Sequence, residues 1–243
     1  MKATAPALVL LAGLTCTSAF AQHWSYEGEA GPANWSRLDP NFVMCALGRN
    51  QSPIDLSDLV EADLRPLKLD YRAGAAEIVN NGHTIQVNYA PGSTLAVDGR
   101  SYELKQFHFH APSENRIRGR QFAMEGHLVH ADKDGNLAVL AVLLEEGAPN
   151  PLLASLWKAM PARAGGKAAL PVPLDVSALL PADVDYYRFS GSLTTPPCSE
   201  GVLWLVAKKP ATVSKAQVAQ FRGTMGFANN RPVQAINARP VLQ

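Results

Sequence analysis

Charge of either sign is scarce in this chain. Of its 243 residues only 18% are Asp, Glu, Lys or Arg, against a typical share of about 25%, and 22 basic residues set against 21 acidic ones leave a formal charge of +1. That near-balance excludes the surplus of positive charge that grips phosphate backbones, so nucleic acid is not an expected partner. Long apolar runs are lacking too. The run Ala7–Ala12 falls well short of the roughly 20 residues that span a bilayer, and no later run is long enough to cross one. Internal repeats, low-complexity tracts and long linkers are absent, which leaves one compact domain as the expectation. What is plentiful is apolar residues, at 47%, together with 18 Gly and 18 Pro. That composition suits a large core in a turn-rich, strand-rich fold.

The first 21 residues read as a signal peptide. Met1-Lys2 supplies a positive start, the apolar run Ala7–Ala12 follows, and Ala19-Phe20-Ala21 has the small-x-small pattern of a cleavage site. Cleavage there starts the mature domain, 22–243, at Gln22 and removes Lys2, leaving a formally neutral chain with no membrane-spanning segment. The location implied is exported, periplasmic or secreted. Cys16 sits in the signal, where a lipoprotein would carry its anchor, but Gly13 stands where such signals usually have Leu. Cysteine is rare, three in all, and export leaves only Cys45 and Cys198 in a compartment where disulfides persist. They are expected to pair, closing a long loop that contributes about 4–5 kcal/mol on the chain-entropy account.

Short strand-like runs fill the middle of the chain. Thr84–Asn88 is followed by a turn at Pro91-Gly92, Asp98-Gly99 joins Thr94–Val97 to the run ending at His110, and Asp134-Gly135 joins His127–Ala131 to Leu137–Leu144. Two peripheral helices are predicted, one capped by Asn150 with Pro151 at its first position, one opening on the capping box Ser214–Gln217 ahead of Val218 and Phe221. The fold class is mostly β: a central twisted, mainly antiparallel sheet with a few short helices.

Six histidines carry the chemistry, at 23, 83, 108, 110, 127 and 130. In Gln106–His110 side chains alternate, so Gln106, His108 and His110 share one strand face and Phe107 and Phe109 the other. A second strand, Glu125–His130, can bring His127 beside them with Glu125 and Val129 on the same face and His130 opposite. Three neutral imidazoles around one point suit zinc, and they leave its fourth tetrahedral position open for water, which marks a catalytic site. Gln106 and Glu125 are placed to fix the imidazole tautomers. His23 and His130 have no such company and read as structural; His83, after Asn81-Gly82, reads as an exposed turn residue.

With these motifs assembled, the sequence resembles the alpha class of carbonic anhydrases, in its bacterial exported branch. The resemblance runs from about His23 to Arg231 and rests on Gln51-Ser52-Pro53-Ile54-Asp55, Gln106-Phe107-His108-Phe109-His110, Ala111-Pro112-Ser113-Glu114-Asn115, Glu125-Gly126-His127-Leu128-Val129-His130 and Ser192-Leu193-Thr194-Thr195-Pro196-Pro197. It implies the alpha carbonic anhydrase fold and a zinc-dependent lyase, carbonate dehydratase, that hydrates carbon dioxide reversibly to bicarbonate and a proton. His108, His110 and His127 would bind zinc, which in carbonic anhydrase lowers the pKa of bound water from about 15.7 to about 7. The metal hydroxide would attack carbon dioxide, and water would displace bicarbonate. Thr194 would accept a hydrogen bond from the hydroxide and donate its own proton to Glu114, while its backbone N–H helps hold the anion. Val129, Val139, Leu193, Val202 and Trp204 match the apolar wall that holds carbon dioxide, although ordinary core residues read the same way, and Thr194 and Thr195 complete the implied substrate contacts.

His83 matches the family's proton shuttle. An acid of pKa about 7 loses its proton to bulk water at only roughly 10³ s⁻¹ if recapture runs near about 10¹⁰ M⁻¹s⁻¹. A histidine of pKa about 6.5 relays it to buffer faster. Tyr26 matches a residue that orders the intervening waters. Cys45 and Cys198 match the disulfide of exported members, where the bridge would brace the Thr194 loop, and a homodimer is compatible with the resemblance. Two positions depart from the pattern: Gly126 replaces an apolar residue and is expected to bend the strand, and Gln86 stands where Asn is common and changes the polar side of the pocket.

Two other readings stay open at this stage. His108-Phe109-His110 followed by Glu114 copies the first metal motif of a cupin oxygenase or isomerase, in which Glu114 would be a ligand; the second Pro-x-Gly-x-x-His element is missing near His127, and nothing in that reading accounts for Ser192–Pro197. A non-catalytic binding module on the same fold arises where a ligand histidine is lost; here all three remain.

Overall fold

Alternation of apolar and polar residues along the chain gives a two-faced sheet. The computed structural model describes residues 23–243, so the expected signal segment and Cys16 lie outside the described residues. In chain order the strands are β1 (Asp55–Leu56), β2 (Leu59–Val60), β3 (Lys68–Asp70), β4 (Ala75–Asn80), β5 (Ile85–Tyr89), β6 (Thr94–Val97), β7 (Arg100–His110), β8 (Arg116–Ile117), β9 (Met124–Ala131), β10 (Leu137–Glu146), β11 (Lys167–Leu174), β12 (Tyr186–Ser192), β13 (Glu200–Ala207), β14 (Ala211–Val213) and β15 (Val241–Leu242). The α-helices are α1 (Trp35–Leu38), α2 (Met44–Leu47), α3 (Pro151–Ala159) and α4 (Lys215–Met225).

The main sheet runs β11-β4-β5-β7-β9-β10-β13-β12-β15-β2, with β6 beside the first half of β7. Its centre is antiparallel through β5, β7, β9 and β10, but β10 pairs with β13 in parallel, so the sheet is mixed. Asp98 and Gly99, both at positive φ, form the two-residue turn between β6 and β7. The β9–β10 connection is longer than a tight hairpin. Its five residues, 132–136, fold around Asp132, whose Oδ1 accepts from the N–H groups of Asp134 and Asn136.

One sheet face carries the larger core. Leu104, Phe107, Phe109, Leu128, Leu140, Val142 and Leu205 pack there under α3 and α4. Those helices form where the capping residues predict: Asn150 accepts from Leu152 N and Leu153 N, and Ser214 and Gln217 make the capping box. Their buried faces, Leu152, Leu153, Leu156 and Trp157 in α3 and Val218, Phe221 and Met225 in α4, make them the cover of this core. The other face carries a second cluster around Val139, Val202, Phe189 and Trp204.

A one-residue bulge decides which face the histidines occupy. Against β9, Leu104 pairs with His130 and Gln106 with Val129, so Lys105 is extra. Before the bulge the even residues Tyr102 and Leu104 enter the larger core; after it the odd residues Phe107 and Phe109 do, and Gln106, His108 and His110 turn to the opposite face.

Candidate metal centre

His108 of β7 and His127 of β9 are direct cross-strand partners, and His110 follows opposite Glu125. Three ligand atoms from His108, His110 and His127 lie within 4.8 Å of one another. The outward nitrogen of each ring is taken: His108 Nδ1 faces Gln106 Oε1 at 2.8 Å, His110 Nδ1 faces the Asn229 carbonyl at 2.7 Å, and His127 Nε2 faces Glu125 Oε1 at 2.9 Å. The inward atoms are therefore Nε2, Nε2 and Nδ1. Burial pushes all three imidazoles below the ordinary histidine pKa, most for His108 and His127, where neighbouring imidazoles add to it. The rings are thus held neutral with lone pairs converging, as metal ligands must be. His110 Nε2 is buried without a hydrogen-bond partner, which suits a metal ligand better than a core side chain.

Around this trio the polar groups are fixed. Glu125 accepts from the backbone N–H groups of Glu114 and Asn115 and from Asn115 Nδ2, at 2.8, 2.8 and 2.6 Å. Burial raises its pKa and these donors pull against that rise. Glu114 lies 3.5 Å from His110 Nε2 through Oε2, while Oε1 accepts from Arg231 N at 2.8 Å. Burial pushes its carboxyl up to about 8, opposed by the Arg231 N–H and the Thr194 hydroxyl. Thr194 is buried, on the loop after β12, and Trp204 Nε1 donates to Ser192 O to fix the start of that loop. Ser52 and Ser192 exchange hydrogen bonds at 2.9 and 3.1 Å, tying the Gln51–Asp55 segment to the same loop.

Val129, Val139 and Trp204 form one row across β9, β10 and β13. With Val202 and partly buried Leu193 they belong to the cluster on the histidine face, separate from the larger core, and the Trp204 ring lies 4.9 Å from His127. Tyr26, His83, Gln86, Gln106 and Thr195 line the same cleft as His108 and His110. His83 is a half-buried ring stacked on Trp24 at 3.7 Å, so it is more than an exposed turn residue, and His23 is not isolated, since it stacks on His83 at 4.9 Å. His130 points into the larger core, bonded to Tyr71 Oη at 2.8 Å, as a structural histidine would. Gln86 donates to Asn88 and pairs with His108 across the sheet.

Gly126 does not bend β9, whose register against β10 is unbroken. Its bare Cα leaves space that Leu179 and Phe109 occupy: a Cβ there would lie 3.0 Å from Leu179 Cδ2. Cys45 and Cys198 form the expected disulfide. Sequence reasoning missed Asn115, Asn229, Arg231 and Trp24. Asn229 and Arg231 stand singly in an irregular segment, where no periodicity marks them.

Comparison with known proteins agrees with this geometry. The family model for eukaryotic-type carbonic anhydrase matches residues 30–243. A carbonic anhydrase from Pectobacterium carotovorum is 49% identical over 236 residues, 97% of each chain, and one from Neisseria gonorrhoeae is 50% identical over 240 residues, 97% of this chain and 95% of that one. The solved alpha-carbonic anhydrase of Thermovibrio ammonificans, in complex with sulfanilamide, superposes with a TM-score of 0.90 at 50% identity, covering 91% of this chain and 99% of that one.

Proposed function

The chain belongs to the eukaryotic-type, or alpha, carbonic anhydrase family, and from that membership we propose that it uses zinc to hydrate carbon dioxide reversibly to bicarbonate and a proton. The observation that carries this reading is the convergence of three neutral imidazoles whose outward nitrogens are all engaged. His108, His110 and His127 would hold the zinc, and the all-nitrogen donor set with one position left free suits that metal. When bound, zinc supplies a Lewis acid and a hydroxide nucleophile at neutral pH.

The protein's own residues supply orientation. Glu114, ionised beside a dication, would accept a hydrogen bond from the Thr194 hydroxyl, leaving the Thr194 oxygen free to accept one in turn. The Thr194 backbone N–H helps hold the product anion. Val129, Val139, Leu193, Val202 and Trp204 offer carbon dioxide, which has no net charge, an apolar wall beside the imidazoles, and Thr195 closes the cleft on its polar side. His83 relays the proton toward solvent, with Tyr26 ordering the path. Gln106 and Glu125 hold the tautomers of His108 and His127.

Export fits the disulfide and the signal-like start of the chain, and among the described residues no helix is long and apolar enough to cross a membrane. We place residues 22–243 in the periplasm or outside the cell. The test is carbon dioxide hydration before and after a chelator, with zinc content measured. Activity lost with the metal, restored by zinc and absent in His127→Ala is the expected result; full activity in His127→Ala contradicts the site, and bound iron or manganese in place of zinc favours the cupin-like chemistry.

A further inference from the structure

Glu114 is held by fewer groups than its neighbour Glu125. One oxygen accepts from Arg231 N; the other is buried without a hydrogen-bond partner and faces His110 and His127. Apart from the Thr194 hydroxyl that it is to orient, this carboxylate has Arg231 N as its donor and is aimed only as well as that N–H is. The donor, however, sits in a segment with no ladder to hold it, because residues 226–240 belong to no helix or strand.

The Arg231 side chain provides the missing anchor. Arg231 is 2% exposed, and its guanidinium donates to three neutral oxygens: Gln51 Oε1 at 2.9 Å, Ser52 O at 2.8 Å and Cys45 O at 3.1 Å. Gln51 passes the linkage on, since its Nε2 donates to Cys198 O at 3.0 Å and Glu200 Oε1 at 3.1 Å. One buried cation thus grips the carbonyls of both half-cystines, Cys45 directly and Cys198 through Gln51. A planar fork with several donors can bridge acceptors on separate segments, which an ammonium cannot do in the same geometry.

We infer that Arg231 is a positioning residue for hydration: its guanidinium, seated against Gln51, Ser52 and Cys45, fixes the backbone N–H that aims Glu114. This rests on the carbonic anhydrase reading, in which Glu114 orients Thr194. The variants are Arg231→Met, Arg231→Lys and Gln51→Leu, each compared with wild type. Two readouts are taken. One is steady-state hydration by zinc-loaded protein well below its melting temperature; the other is the residue 231 amide proton shift in metal-free protein.

In Arg231→Met, kcat/KM falls about tenfold to a hundredfold, the range expected when a supporting contact to a site is lost. Turnover falls less where proton export limits it. The residue 231 amide moves upfield as its bond to Glu114 loosens. Arg231→Lys recovers part of both signals, and Gln51→Leu changes both in the same direction by a smaller amount. A lowered melting temperature with an unchanged amide shift and unchanged kcat/KM would overturn the inference, leaving Arg231 a purely structural residue. Should Arg231→Met fail to fold, the Gln51→Leu pair of readouts decides by the same criterion. Wild-type protein without hydration activity overturns the functional reading and the inference with it, whereas an active wild type with insensitive variants overturns the inference alone.

Discussion

His83 has two flat neighbours, Trp24 at 3.7 Å and His23 at 4.9 Å, and the stack sets its charge. Burial first, and repulsion from His23 second, push its pKa down to about 4. At pH 7 such a ring is protonated about 0.1% of the time, so relay at neutral pH requires it to leave the stack for solvent, where its pKa returns toward about 6.5. His23→Ala should therefore raise the His83 pKa in an NMR titration and raise turnover at low buffer concentration. A pKa unmoved by that substitution would show that burial alone sets it. His83→Ala should lower turnover at low buffer concentration, with imidazole added to solution restoring it; unchanged turnover would remove His83 from the proton path.

Among the elements, β7 and β9 do the positioning. The bulge at Lys105 takes up one extra residue, keeping Tyr102 and Leu104 on one face and His108 and His110 on the other. Deleting Lys105 removes the bulge and leaves Leu104 followed by Gln106 in strict alternation, so every side chain of β7 keeps both its face and its partner on β9. Zinc content of that variant should therefore stay close to that of wild type by elemental analysis, and a loss of zinc would show that the bulge itself aims the rings. On the opposite face of β9, Gly126 is a packing device. Gly126→Val would press its branches on Leu179 and Phe109 and should cost about 1–3 kcal/mol in urea denaturation, the usual range for overpacking, with zinc still bound.

At the scale of the whole molecule, two features govern stability. The Cys45–Cys198 bond closes 153 residues of sequence separation, so reduction should lower stability by about 4–5 kcal/mol. Because Arg231 and Gln51 hold both half-cystine carbonyls, reduction should also lower kcat/KM below the melting temperature; a drop in melting temperature with activity intact would leave the bridge structural only. His130 contributes to the acid side. It is fully buried, and burial lowers its pKa to about 4. The unfolded chain binds this proton from about pH 6.5 downward and the folded chain only near pH 4, so stability falls as pH drops through that window, by about 3 kcal/mol in total. Urea midpoints measured across pH 4–7 should slope less in His130→Gln than in wild type. Equal slopes would mean that other groups carry the dependence.

Much of this arrangement is local and therefore legible in the sequence. Alternation places Gln106, His108 and His110 on one face, turn residues mark the β6–β7 hairpin, capping residues start α3 and α4, and Cys45 pairs with Cys198 as expected. Each of these depends on neighbours within a few positions, or on residue chemistry alone. The tertiary structure decided what depends on distant segments meeting. It set the parallel β10–β13 pairing that rows Val129 and Val139 with Trp204, and the stacking of His23 and Trp24 on His83. It also brought Asn229 to His110 and Arg231 to Glu114 across more than a hundred residues. Those contacts are made by single side chains and backbone groups in irregular segments, where no period in the sequence records which partner burial will supply.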